Sequence, residues 1–335
     1  MSALAGLPDA VFAIAPELRQ LDGLSEPRAD CSACPLAVPA AQLEQQPHMF
    51  HSDARCCTYH PELPNWLAGR ALRDPDAAPR LRARLQDPAG LTPESLAPRA
   101  RSYVSRHDFG RELSLRCPYW AGGELACGAW AHRAEVCRTW HCRFSDGDRS
   151  RTAWADAKRL MHHTFARMSY YCTLSATPPP EGAAPERMEA WYLHCAQLID
   201  DTPLDLIATL RDEAVAHAGQ RLLSSLAALG QPLPDVLVAA IAHVGHQPDG
   251  TILLAGDTLR DTVTTPGDIF RFIGRLDGQT PWRDALAAAH GDGLQFSEAD
   301  VEHLYRLNVL RPPRSKTLDP GAQLVVNGQV IHPDP

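Results

Sequence analysis

The chain has 335 residues, of which 44% are hydrophobic and 21% charged, as in a globular protein of two or three domains. Its formal net charge of −8 argues against sequence-independent nucleic-acid binding, which needs Lys and Arg side chains to neutralise phosphates. Residues 1–20 lack a basic segment, and Pro8 and Asp9 interrupt their apolar run, so we predict no signal peptide. The longest apolar run, at 236–245, is too short to cross a bilayer, and we expect a cytoplasmic protein with no membrane partner.

Most of the cysteines lie in the first half of the chain, close to Gly, Pro and aromatic residues. Eight of the ten are Cys31, Cys34, Cys56, Cys57, Cys117, Cys127, Cys137 and Cys142, with spacings that include C-x2-C, C-C and C-x4-C. In a reducing compartment such a set is more typical of metal ligands than of disulfides. Eight thiolates would complete two four-ligand sites, which predicts two [4Fe–4S] clusters, two zinc ions or one of each. Disulfides and buried structural thiols are the alternatives.

The spacing of the cysteines favours iron–sulfur clusters, with zinc as the alternative. Structural zinc is typically bound by paired C-x2-4-C motifs, whereas this chain has one such motif at 31–34 and several wide gaps. Ligands of iron–sulfur clusters often come from separate loops. The tryptophans and Tyr119 would shield a cluster from solvent, or else pack in an ordinary core.

Other residue types near the cysteines are further candidates. Arg133, Arg138 and Arg143 would offset thiolate charge or hold an anionic substrate, or else form a solvated face. His132 and His141 could replace a thiolate as ligand, but since eight thiolates already suffice we favour a position at the surface or in hydrogen-bond contact with the ligands. Cys172 and Cys195, farther along the chain, are interpreted as core thiols.

Three segments resemble the YkgJ-type cysteine-cluster family: "CSACPL" at 31–36, "RCCTYHPELPNW" at 55–66, and "CPYW…LACGAW…HRAEVCRTWHCRF" at 117–144. Members of that family are described as zinc- or iron-chelating proteins, and their relatives include proteins similar to iron–sulfur oxidoreductases and protein-lysine methylases. The resemblance implies metal chelation over residues 28–145. The chain departs from compact members, because 21 residues separate Cys34 from Cys56, so the pairing of ligands into sites stays open.

The remainder of the chain has helical signals. Apolar residues at helical spacing over 152–172 predict an amphipathic helix that packs on the metal region, and the proline-rich 175–186 predicts a linker. Thr202, Thr265 and Ser297, each followed three residues later by Asp, mark helix starts. Helices are expected near 187–199, 203–229, 232–244, 266–276, 281–290 and 298–308.

A β-hairpin is predicted over 249–267, where turn residues flank Thr, Ile, Leu and Val. A hairpin followed by three helices is similar to the PqqD-like peptide-recognition module, a small winged-helix fold, over 247–312. That resemblance implies a peptide or protein partner that adds a strand to a sheet edge, and packing or dimerisation is the alternative. DNA binding is disfavoured, because acidic side chains occupy the final helix. In the tail, the sequence "NGQ" at 327–329 predicts a short hairpin.

These observations predict a mainly α protein with small β elements. Its expected parts are a loop-rich, metal-stabilised cysteine-cluster domain with its packing helix over 1–174, a helical region over 187–245, a winged-helix-like module over 246–312 and a tail over 313–335. We expect a metal–sulfur protein with two metal centres and a redox or peptide- or protein-modification role. The alternatives are a zinc-stabilised binding protein without enzymatic activity and a metal-handling protein. No dinucleotide-binding or nucleotide-binding loop is present, so no catalytic side chain is assigned.

Overall fold

The chain forms two compact units, Met1–Gln231 and Pro232–Pro335. The computed structural model describes residues 3–24, 26, 34, 37–44, 49–97, 108–122, 127–141, 144–175, 184–256, 262–313, 324–326 and 329–331. Helices dominate the regular structure of these residues and the strands are short, which confirms a mainly α protein with small β elements. None of the described helices is both long and apolar enough to cross a membrane.

The first unit is built from helices. Those in its described part are α1 Asp9–Ile14, α2 Asn65–Arg73, α3 Ala78–Leu85, α4 Glu135–Arg138, α5 Gly147–Ser175, α6 Pro185–Asp201, α7 Leu204–Ala208 and α8 Glu213–Ala227. Short 3-10 helices occupy Pro16–Leu21, Ala40–Gln42, Leu113–Leu115 and Trp130–His132. Two small sheets pair β1 Ala37–Val38 in parallel with β2 Phe50–His51, and β3 Leu63–Pro64 antiparallel with β4 Ser95–Leu96.

Helices α2 and α6 approach closely at Gly69. A Cβ atom at this position would lie 1.8 Å from the carbonyl oxygen of Tyr192, so only glycine allows this helix spacing. The C-terminal end of α2 is tied to the same partner, because Arg70 and Arg73 bind the two carboxylate oxygens of Asp200 at 2.5 and 2.7 Å. Helix α2 follows Cys56 and Cys57 in the chain, so its packing on α6 fixes the position of the segment next to these two cysteines.

Helix α5 confirms the helix predicted over 152–172 and begins several residues earlier, at Gly147. It packs on α8 through the buried carboxylate of Asp156, which accepts hydrogen bonds from Arg221 Nε at 3.2 Å and Ser225 Oγ at 2.5 Å. Trp66 of α2 meets Phe165 of α5 edge to face, with ring centroids 5.1 Å apart. Trp66 and Phe165 belong to one apolar core within the first unit.

The helix predicted over 203–229 is interrupted in the structure. Helix α7 ends at Ala208 and α8 begins at Glu213. Asp212 causes the new start, because its carboxylate accepts the backbone N–H of Val215 at 2.9 Å and so satisfies a donor that the helix leaves unpaired.

The second unit combines short strands with three described helices. Its elements are β5 Val236–Ala239, β6 His243–His246, β7 Ile252–Ala255, β8 Thr262–Thr265, α9 Ile269–Ile273, β9 Asp277–Pro281, α10 Trp282–Gly291, α11 Glu298–Arg306, β10 Leu310–Arg311, β11 Leu324–Val326 and β12 Gln329–Ile331. Antiparallel pairing gives the sheets β10-β5-β9, β6-β7-β8 and β11-β12.

The hairpin expected over 249–267 is confirmed as β7 and β8, which pair with Ile252 opposite Thr265. The helix start expected at Ser297 is confirmed as well, because Ser297 and Asp300 form a reciprocal capping box at α11. The helix expected over 232–244 is wrong. This segment forms β5 and β6, since the β-branched Val236 and Val238 flank the buried Leu237 and both neighbouring strands pair with β5.

Candidate metal centre

The predicted ligands occupy short, irregular segments of the first unit. Cys56 and Cys57 lie in the turn after β2, Cys117 follows the 3-10 helix at 113–115, and Cys137 lies within α4. Cys31 and Cys142 lie outside the described residues.

Backbone hydrogen bonds join the cysteine-bearing segments. The N–H of Cys117 donates to the carbonyl of Cys57 at 2.7 Å. Nearby, the ring nitrogen Nε2 of His60 donates to the carbonyl of Arg116 at 3.1 Å. Cys127 in turn forms an isolated antiparallel bridge with Trp120. Segments distant in sequence therefore come together at their cysteines.

The thiols of Cys117, Cys127 and Cys137 are close enough to act on one another electrostatically. Burial raises the pKa of Cys117, and the thiols of Cys137 and Cys127 raise it further. Burial, followed by the charge of Cys127, raises the pKa of Cys137 to about 12, and Cys56 adds to that shift. Burial also raises the pKa of Cys127. The protein alone therefore favours neutral thiols, and a bound cation would shift them to thiolates.

This donor set fits a thiophilic metal, because several thiols share one partly buried region. Among the residues that the structure describes, however, no three Cys, His, Asp or Glu side chains form a group that could hold a metal ion. The structure brings Cys56, Cys57, Cys117, Cys127 and Cys137 into one region without completing a ligand set in the described part of the chain. Cys34 is half-buried, and its carbonyl accepts the backbone N–H of Ala37 at 3.0 Å.

Two of the arginines predicted to flank the cysteines are used structurally. The buried Arg138 donates to the carbonyls of Ala3, Ala5, Ala131 and Arg133 at 2.6–3.1 Å, and burial lowers its pKa to about 9. Arg133 stacks on the ring of Trp130 at 3.6 Å and donates to the carbonyl of Cys137 at 2.9 Å. Both side chains therefore shape the loops around the cysteines, and Arg133 still places a positive charge near Cys127. Arg143 lies outside the described residues.

Sequence reasoning missed Arg80 of α3. Its charge acts on Cys127. Its guanidinium packs directly on Gly128, where a Cβ atom would lie only 2.8 Å from Arg80 Nε. A basic residue on a separate helix gives no local signal of this kind, although the glycine after Cys127 indicates a close approach.

The two histidines near the cysteines are held by other groups. His132 shares a 2.9 Å hydrogen bond between its Nε2 and Asp74, and burial lowers the pKa of the imidazole. His141 lies against Trp154 with ring centroids 4.3 Å apart, and burial lowers its pKa to about 4. Neither contact assigns a ligand role.

The aromatic side chains near the cysteines differ in exposure, whereas both downstream cysteines are buried. Tyr119 is buried beside Cys117, whereas Trp140 is 46% exposed, so not every aromatic residue shields this region. Cys172 and Cys195 are fully buried, and the Cys172 thiol donates to the Cys195 carbonyl at 3.6 Å. Their interpretation as core thiols is confirmed.

No family model matches this chain, and no curated protein or solved structure matches it significantly. The resemblances to the YkgJ-type and PqqD-like families therefore stay predictions.

Proposed function

We propose that this chain is a metal–sulfur protein whose eight cysteines at 31, 34, 56, 57, 117, 127, 137 and 142 bind two metal centres. The observation that carries the proposal is that the thiols of Cys117, Cys127 and Cys137 lie close enough to act on one another electrostatically, while the backbone N–H of Cys117 donates to the carbonyl of Cys57. Soft thiol donors gathered in this way suit iron–sulfur clusters or zinc. We favour iron–sulfur clusters, because most of the ligands come from separate segments of the chain and only one paired knuckle, at 31–34, is present.

A redox role agrees best with these surroundings. Iron–sulfur clusters, when bound, supply electron transfer at potentials set by burial, charge and hydrogen bonding. Here the buried Tyr119 would limit access of water, and the charges of Arg80 and Arg133 would offset thiolate charge near Cys127. The peptide- or protein-modification role inferred from the sequence stays a prediction, because no described contact bears on it.

Metal and sulfide analysis after anaerobic purification tests the proposal. We expect iron with a matching amount of acid-labile sulfide and visible charge-transfer absorbance. Cys117→Ala should lower the metal content to about half, since one of two four-ligand centres loses a ligand. Cys172→Ala is the matched control, because this thiol lies in the helical core, and it should leave the metal content unchanged.

Stoichiometric zinc without sulfide would show that the centres hold structural zinc and not iron–sulfur clusters. That result would support the binding-protein alternative. A wild-type chain that is folded and free of metal, with Cys117→Ala equally stable, would refute metal binding altogether.

A further inference from the structure

Arg55 differs from the other arginines around the cysteines. Its Nε and Nη1 atoms are buried, and they have no hydrogen-bond partner among the residues that the structure describes. By contrast, Arg138 donates to four carbonyl oxygens and Arg133 to two. Burying unpaired guanidinium donors is unfavourable, so Arg55 has binding capacity that its described neighbours do not use.

The backbone fixes the direction of Arg55. Its φ angle of 52° lies in the left-handed region, which is uncommon for a residue other than glycine. The turn is held by the N–H of Arg55, which donates to the carbonyl of His51 at 2.8 Å. Strained residues of this kind often occur where a side chain must be aimed at a ligand.

The guanidinium of Arg55 lies over the indole of Trp120, 5.4 Å from the ring centroid. Trp120 pairs with Cys127 in an isolated bridge, and Cys56 and Cys57 directly follow Arg55. The unused donors therefore lie next to two of the segments that carry the predicted ligands. An aromatic ring beneath a guanidinium holds it in place and leaves its N–H groups directed to the sides.

We infer that Arg55, held against Trp120, binds an oxyanion group, a carboxylate or a phosphate, of the molecule on which the neighbouring cysteine site acts. The link to that molecule rests on the proposed function, whereas the oxyanion site itself rests on Arg55 and Trp120 alone. Guanidinium groups form charge-assisted hydrogen bonds with such anions, which are stronger than bonds between neutral groups.

Calorimetric titration of the full chain with inorganic phosphate and with acetate, at constant ionic strength, tests the inference. We expect saturable binding of one anion per chain. Arg55→Asn should weaken it at least about tenfold, because a charge-assisted interaction is lost. Asparagine tolerates the left-handed conformation, so this variant should fold, which circular dichroism would check. Arg55→Lys should weaken binding less than Arg55→Asn.

Arg82→Gln is the matched control, since it removes one positive charge from an exposed arginine that pairs with Glu189. It should bind phosphate and acetate as the wild type does. Tighter binding of phosphate would assign a phosphate group to the ligand, and tighter binding of acetate a carboxylate.

Three results would overturn the inference: no saturable binding of either anion, equal binding by Arg55→Asn, or loss of metal in Arg55→Asn with anion binding retained. The last result would assign Arg55 to the charge balance of the metal centre. Metal analysis of the same samples separates the two proposals, because a metal-free chain that binds phosphate through Arg55 would refute only the metal–sulfur function.

Discussion

Single side chains determine how charge is distributed around the cysteines. The four carbonyl oxygens bound by Arg138 compensate for the burial of its guanidinium, so this charge is built into the fold. Arg80 stays near Cys127 because Gly128 leaves room for its side chain. The thiols share a partly buried region and cations lie close to them, which is an environment that can accept thiolates once a metal ion is bound.

Asp212 gives a prediction for the dependence of stability on pH. Its hydrogen bond from the N–H of Val215, with help from Arg167, lowers the pKa of this carboxyl. A lowered pKa in the folded state means that the stabilisation is fully present above the unfolded pKa of about 3.9 and is lost as pH falls through the folded value. Asp212→Ala should lower the free energy of unfolding by about 1 kcal/mol at pH 7, and by less as pH drops below about 4.

Urea unfolding at a series of pH values measures that difference. Glu44→Gln, at an exposed carboxylate, serves as the control and should change stability little at any pH. A difference between wild type and Asp212→Ala that stays constant down to low pH would show that the charge of Asp212 has no part in capping α8.

For single residues, the sequence predicts which residue types would form the proposed site, but not how all of them are placed. Cysteine is a rare residue, so its clustering in the sequence indicates a shared role even before folding is considered. The contribution of Arg55 depends on a left-handed turn, and that of Arg80 on contact between a helix and a loop. The left-handed turn leaves no pattern in local sequence, and the local sign of the helix–loop contact is Gly128, the glycine after Cys127.

Among the helices and strands, those with strong terminal signals were predictable. Ser297 and Asp300 define the start of α11 through contacts between near neighbours, and the apolar spacing over 152–172 predicts most of α5. The segment over 232–244 was not predictable in this way. Its strands depend on pairing with β9, β10 and β7, which come later in the chain, and an apolar run alone does not separate helix from strand.

The contact between α2 and α6 gives a prediction about a helix pair. Gly69→Ala would place a methyl group 1.8 Å from the carbonyl oxygen of Tyr192, so the helices must separate. We expect a loss of at least about 2 kcal/mol in the free energy of unfolding, although alanine is the better helix former. Chemical denaturation followed by circular dichroism measures the loss.

Gly291→Ala is the matched control for that experiment. Gly291 ends α10 and has open space where a Cβ atom would lie, so the same substitution should be neutral or slightly stabilising. Wild-type stability in Gly69→Ala would contradict the close approach of α2 and α6.

The molecule as a whole has two cores. One is centred on Trp66 and Phe165 in the first unit, and the other on Phe272, Trp282 and Tyr305 in the second. All ten cysteines belong to the first unit. The mainly α architecture was predictable because helical periodicity is a property of local sequence. The order of hairpin and helices in the second unit agrees with the expected elements, whereas the winged-helix resemblance stays a prediction.

Metal removal should therefore affect the two units differently. A metal ion that holds short, irregular segments together contributes to their folding. A chelator should therefore increase hydrogen exchange in residues 108–122 and 127–141. The core of the second unit contains no cysteine, and residues 262–313 should keep their protection. Hydrogen exchange followed by mass spectrometry, before and after chelation, resolves these segments separately. An equal rise of hydrogen exchange in both units would contradict a local metal centre. So would unchanged exchange rates in the cysteine-bearing segments after the metal has been removed from a metal-loaded sample.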